Sequence, residues 1–178
     1  MGATIVIPER LVSEARRRGI EIEDFVLAAL AKALKLDPRE LASARLEPAE
    51  KALHEAEGYI ARGDPVQASE KLYRAVEECI KALAEALGVE AVEEAERRGK
   101  WYTWLLGKAA RQLAERLGED RVRLAWSQAY EVRAWGFHEA KYSVEDVKPA
   151  LPLARWLLEY AKKIIGQSGH AAAGRDDN

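Results

Sequence analysis

The chain holds one cysteine and one methionine among its 178 residues. One cysteine excludes an internal disulfide, and no residues have the spacing of a zinc site. No signal-peptide pattern and no apolar run of bilayer length is present, so a cytoplasmic protein without membrane contact is expected. A Gly-rich phosphate loop, a nucleophile elbow and a His-Glu-x-x-His motif are all missing. The expected set of metals and cofactors is therefore none. Internal repeats are also absent. Few Asn and Gln beside abundant Glu, Arg and Lys point toward a thermophilic source.

A hydrophobic content of 48% suffices for a core, while 33% charged residues make a strongly ionic surface. The net charge of −2 excludes a generally basic nucleic-acid coat. The charge is unevenly spread. Residues 1–96 carry 13 Lys+Arg against 20 Asp+Glu, whereas residues 97–148 carry 11 against 7. A phosphate-bearing partner would be drawn to that second stretch.

Thr4-Ile5-Val6-Ile7 before Pro8 predicts a short strand or extended arm. Two helices follow, one with Leu11, Val12 and Ala15 on its apolar face, the next with Phe25, Val26, Ala29, Leu30, Ala33 and Leu34. A lone strand lacks a partner within one chain, which suggests pairing between two copies. Asp37-Pro38 restarts a helix and Pro48 is expected to open another. Asp64-Pro65 reads as an N-cap with proline at the first helical position, and Gly88 as the C-cap of that helix. These neighbours should form an antiparallel hairpin. Cys79 falls on the apolar stripe of the second and is expected to be buried. A third long helix runs from about Trp101 to Gly118, and a fourth begins near Asp120. Ser143, with Asp146 three residues on, caps a last helix presenting Val147, Leu151, Ala154, Leu157, Leu158, Ala161 and Ile165. Trp101, Trp104 and Trp126 are expected in the core. The fold class is all-α, an antiparallel helical bundle over 47–166, preceded by a strand-helix-helix extension over 1–46 and followed by a disordered tail over 167–178.

The candidate chemistry lies in Arg133-Ala134-Trp135-Gly136-Phe137-His138. A guanidinium suits phosphate oxygens, and an imidazole gives and takes protons near neutrality. Together they could cleave RNA without a metal. Five positions in a straight α-helix set two residues about 140° apart. Convergence therefore needs a break, assigned here to Gly136, or a second subunit. The cluster Arg97, Arg98, Lys100 and Trp101 could hold phosphate while stacking a base, and Lys141 and Tyr142 extend that basic, aromatic surface.

The tight hairpin at Asp64-Pro65, the Arg133-x-x-x-x-His138 pair and Ser143-Val144-Glu145-Asp146-Val147 resemble the HEPN superfamily. This superfamily comprises small helical bundles, many of them metal-independent ribonucleases. Pro8-Glu9-Arg10-Leu11-Val12, Arg18-Gly19-Ile20 and the helix to Asp37-Pro38 resemble the archaeal PaREP-type family. The resemblance implies that Arg133 and His138 correspond to a catalytic pair. It also implies a four-helix bundle, a homodimer with two pairs facing one cleft, RNA or a nucleotide as ligand, and an antitoxin-like partner protein.

Three functional readings follow. The first is an RNA-binding protein or metal-independent endoribonuclease. The second is a non-catalytic helical dimer serving nucleotide binding or protein interaction. The third is a DNA-binding regulator acting through the N-terminal segment, which is disfavoured because that strand shows only Thr4 among apolar neighbours.

Overall fold

A computed structural model of the chain describes residues 4–167. The expected tail, apart from Gln167 at the end of the last helix, lies outside the described residues, as does His170. The elements are α1 (Glu9–Arg17), α2 (Ile22–Leu34), α3 (Pro38–Ala61), α4 (Pro65–Leu87), α5 (Glu90–Arg98), α6 (Thr103–Leu117) and α7 (Arg121–Val132). A π-helical turn, Arg133–His138, continues α7. After it come α8 (Val144–Val147), a 3₁₀ turn (Lys148–Ala150) and α9 (Leu151–Gln167). The fold is all-α, and among the described residues no helix is long and apolar enough to cross a membrane.

Helix α4 is the axis of the bundle. Asp64 caps it by accepting from the Gln67 N–H at 3.0 Å, and Gly88 closes it in the left-handed conformation at φ +60°. Between these ends Leu72, Val76, Cys79, Ile80 and Leu83 are essentially inaccessible. Helix α3 returns along it as a hairpin, α9 packs on both, and α6 and α7 cover the remaining side. The α9 stripe is buried as its spacing predicted. The Ser143 N–H donates to the Asp146 carboxylate at 2.8 Å and starts a helix as expected, but that helix is the four-residue α8, which the Lys148–Ala150 turn separates from α9.

Four expectations are corrected. Thr4–Ile7 is extended but is not a strand, and none exists among the described residues, because no neighbouring segment supplies ladder hydrogen bonds. Pro48 opens nothing. It lies inside α3, which runs unbroken from the Asp37–Glu40 capping box across the 46/47 boundary. An internal proline costs about 3 kcal/mol, and burial of Leu46, Ala49, Ala52 and Leu53 on α4 offsets that. Third, α5 stands where no helix was expected; it is charged throughout except for Ala91 and Ala95, which it buries, and Val92. Lastly, Trp104 is 53% exposed, whereas Trp126 is buried as expected.

The apolar face read on α2 is present but uncovered. Phe25 is 63% exposed, Leu30 and Leu34 are also exposed, and only Ala31 is buried. Ile22, Val26 and Leu27 are half-buried, and buried ion pairs tie α2 to the bundle. Buried Arg45 donates to Asp24 at 2.8 Å, to Glu78 at 3.1 Å and to Glu85 at 2.8 Å. Buried Lys81 reaches Asp24 and Glu77, each at 2.9 Å, and Glu78 at 3.2 Å. Glu23 pairs with Arg74.

Candidate functional site: the Arg133–His138 turn and its cavity

The π-helical turn answers the geometric problem posed by a spacing of five. Its wider winding lets residues i and i+5 meet, as the Glu139 N–H shows by donating to the Ala134 carbonyl at 3.0 Å. The side chains follow. Arg133 Nε donates to His138 Nε2 at 3.2 Å, within a single chain. A guanidinium has donors only, so Nε2 is the acceptor and the imidazole proton of this arrangement belongs on Nδ1.

Gly136 acts differently from expectation. It is buried in the turn and does not adopt a left-handed conformation. Its contribution is closeness. A Cβ at this position would lie 2.8 Å from Ser69 Cβ and nearer still to its Oγ. Ser69 is itself buried and donates to the Pro65 carbonyl at 2.6 Å. The absent side chain thus lets the turn seat directly on the first turns of α4.

Arg133 is half-buried, with its guanidinium 4.1 Å from the centre of the Tyr73 ring. That ring also meets Trp126 at 5.6 Å, and Trp126 stacks on exposed Tyr130 at 6.2 Å. His138 is exposed and makes an edge contact with Phe137 at 5.1 Å. Burial, with Glu77 adding to it, pushes the Tyr73 phenol up to about 12 while Arg133 opposes the rise. The Tyr73 hydroxyl makes no hydrogen bond of good geometry although it is buried.

Beside Arg133 lies a cavity of about 270 Å³. Tyr73, Trp101, Thr103, Leu106 and Phe137 form its aromatic and apolar side. Helix α4 adds Glu70, Glu77 and Glu78 with Arg74 and Lys81, and the approach to α2 adds Glu21, Glu23 and Asp24. Burial raises the Asp24 carboxyl, but Lys81 and Arg45 outweigh it and hold it below the ordinary range. Glu85 goes the other way, raised by burial that Arg45 only partly offsets. His138 is not part of the cavity wall.

Of the other residues singled out in the sequence, Trp101 shares the cavity with Arg133. Lys100 sits over the Tyr102 ring at 4.6 Å and against Gly19. Arg97 and Arg98 are committed to Glu94, at 2.7 and 2.5 Å, and do not line the cavity. Tyr142 donates to Glu131 at 2.5 Å, a bond that pushes the phenol up to about 12. Lys141 is exposed, its backbone N–H donating to the Trp135 carbonyl at 2.7 Å. Tyr73, Arg74 and Glu77 escaped the sequence reading; only their spacing along one face of α4 ties them together.

Among the described residues no group of three or more His, Cys, Asp or Glu side chains is placed to hold a metal ion. No curated protein matches the chain. A crystal structure of a protein from Sulfolobus solfataricus is similar, with 32% identity and a TM-score of 0.59, over 65% of this chain and 94% of that one. A solution structure of the Orf c02003 protein gives the same identity and TM-score, over 65% of this chain and 89% of that one. The archaeal PaREP1/PaREP8 family matches over residues 44–158, and the chain belongs to that family.

Proposed function

We propose that the protein is a HEPN-like RNA-binding protein that acts as a metal-independent endoribonuclease through Arg133 and His138. The observation that carries this reading is the 3.2 Å contact between Arg133 Nε and His138 Nε2, made by a π turn where an α-helix would separate the two. π turns of this kind are frequent at functional sites. When the guanidinium turns from Nε2 to the phosphate, the freed Nε2 of the neutral imidazole takes the proton of a ribose 2′-hydroxyl, and that oxygen attacks the adjacent phosphorus. The phosphorus–5′-oxygen bond then breaks, and the leaving oxygen receives a proton from an imidazolium. The guanidinium, held over Tyr73, stabilises the charge that develops on the phosphoryl oxygens. Two copies of the chain facing each other would supply one imidazole for each proton transfer. The uncovered α2 face and the unpaired Thr4–Ile7 segment support a homodimer. Lys100, Trp101, Lys141 and Tyr142, with Arg97 and Arg98 farther along, would carry the flanking RNA.

The expected products are fragments ending in 2′,3′-cyclic phosphate and 5′-hydroxyl, formed equally well with a chelator present. His138→Ala should lower the rate by roughly 10²–10⁴-fold, the usual range for a positioned proton-transfer group. Arg133→Ala should cost a comparable roughly 10²–10³-fold, with the helical circular dichroism unchanged. Absence of cleavage by the wild type, or cleavage that persists in both variants, overturns the enzyme reading and leaves a helical protein with the motif's frame alone.

A further inference from the structure

We propose that the cavity beside Arg133 is a pocket for a single nucleobase bearing an amino group, and that it admits adenine, cytosine or guanine in preference to uracil. The proposal rests on the preceding reading for RNA as the source of the base, but its own test does not require cleavage. Three observations carry it.

The first is an unanswered polar group. Tyr73 is 4% exposed and lines the cavity, and its hydroxyl makes no hydrogen bond of good geometry, with Arg133 and Thr103 as its polar neighbours. Leaving such a group unpaired is costly, and native proteins rarely do so without reason. A ring nitrogen or carbonyl oxygen of a base would answer it.

The second is shape. Trp101, Phe137 and the Tyr73 ring supply flat apolar surface of the kind on which splayed-out bases stack. The volume of about 270 Å³ lies below the usual range of about 300–1,000 Å³ for larger ligands. One ring system fits it better than a whole nucleotide does.

The third is charge. The lining carries six carboxylates, Glu21, Glu23, Asp24, Glu70, Glu77 and Glu78, against the three cations Arg74, Lys81 and Arg133. Most of these carboxylates are paired, Asp24 and Glu78 with Arg45 and Lys81, Glu77 with Lys81, Glu23 with Arg74 and Glu70 with Lys71, so the lining is close to neutral, and the remaining carboxylate lone pairs favour a ligand that donates. Carboxylates accept from exocyclic amino groups, and uracil has none. The phosphate stays outside, at the Arg133–His138 edge, while the base enters. Since Arg133 belongs to both, occupation of the pocket places the neighbouring phosphodiester at the pair.

Calorimetric titration of the full chain with adenosine, cytidine, guanosine and uridine tests this directly. The three amino-bearing nucleosides should bind more tightly than uridine. Tyr73→Phe should weaken their binding by about three- to tenfold, the loss of one net hydrogen bond, without lowering the melting temperature. Glu77→Gln should narrow the gap to uridine. His138→Ala, which removes the proton-transfer group, should leave nucleoside binding intact. Uridine binding as tightly as the others, no binding of any nucleoside, or indifference to both cavity variants overturns the pocket, whatever the RNA-cleavage assay returns. Nucleoside preference without cleavage would instead retain the pocket and refute the nuclease.

Discussion

The segment up to residue 36 and the bundle after it are both helical, yet they are held by opposite means. In the bundle, α3, α4, α6, α7 and α9 bury leucine, valine and alanine until α4 has almost no accessible face. In the N-terminal segment, Val6 is 89% exposed, Leu11 and Phe25 are open, and α1 buries nothing. Its attachment is a knot of charges around Asp24, Arg45 and Lys81. The family match begins at residue 44, so the division by physics lies close to the division by kinship. Apolar packing makes the bundle self-sufficient. An ionic attachment with an uncovered apolar face leaves the segment waiting for a second surface.

The comparison can be broken hardest at Arg45. Arg45→Ala strands Glu85 and leaves Asp24 and Glu78 to Lys81 alone in a buried site, and removing one partner of a buried ionic group typically costs about 3–5 kcal/mol. Chemical denaturation should show that loss, and limited proteolysis should cut the first 36 residues before it touches α4. Uniform cleavage across both regions would mean that the ionic knot serves the bundle and does not pin the segment.

A smaller effect is expected within the bundle at Gly136. Gly136→Ala pushes a methyl group into Ser69, and overpacking of this sort costs about 1–3 kcal/mol. Pairing it with Ser69→Gly should recover much of the stability. A Gly136→Ala variant as stable as the wild type would show that the turn need not sit so close to α4.

The smallest effect belongs to the exposed face. Phe25→Ser should change monomer stability by no more than about 0.5 kcal/mol, as for other surface positions. Light scattering should nevertheless show weaker self-association. A large loss of stability that depends on protein concentration would place Phe25 within an obligate interface.

Local signals were the legible ones. The Asp64 cap, the Gly88 terminator and the α9 stripe each depend on residues within a turn or two, and each stands as read, while the Ser143–Asp146 pair caps a helix that ends before α9. Pro48 was misread because its neighbours bury enough apolar surface to hold the helix through it. Helix α5 went unseen because two small alanines are nearly all the core it offers. The Arg45 knot joins residues up to 57 positions apart, a range over which charge patterns in sequence carry no partner information. As for the site, the Arg133 and His138 identities were visible but their meeting was not. An α-helical ruler gives the wrong angle, and nothing in Ala-Trp-Gly-Phe announces a π turn.

That turn has a consequence best put in terms of length. A π turn is an α-helix carrying one residue more than its winding needs. Remove any one of residues 134–137 and the surplus vanishes, even though both chemical groups survive. Arginine and histidine would then stand four apart on an ordinary helix, neighbours on one face. The residues from Glu139 onward would keep nearly the direction they have now, because the wider winding of the π turn already takes up the extra residue. The surplus is thus contained within the turn, and the course of the chain through Ser143 to α9 does not depend on it. A relative that kept both residues but lost one between them would pair them along an α-helix and leave its last helix where it is.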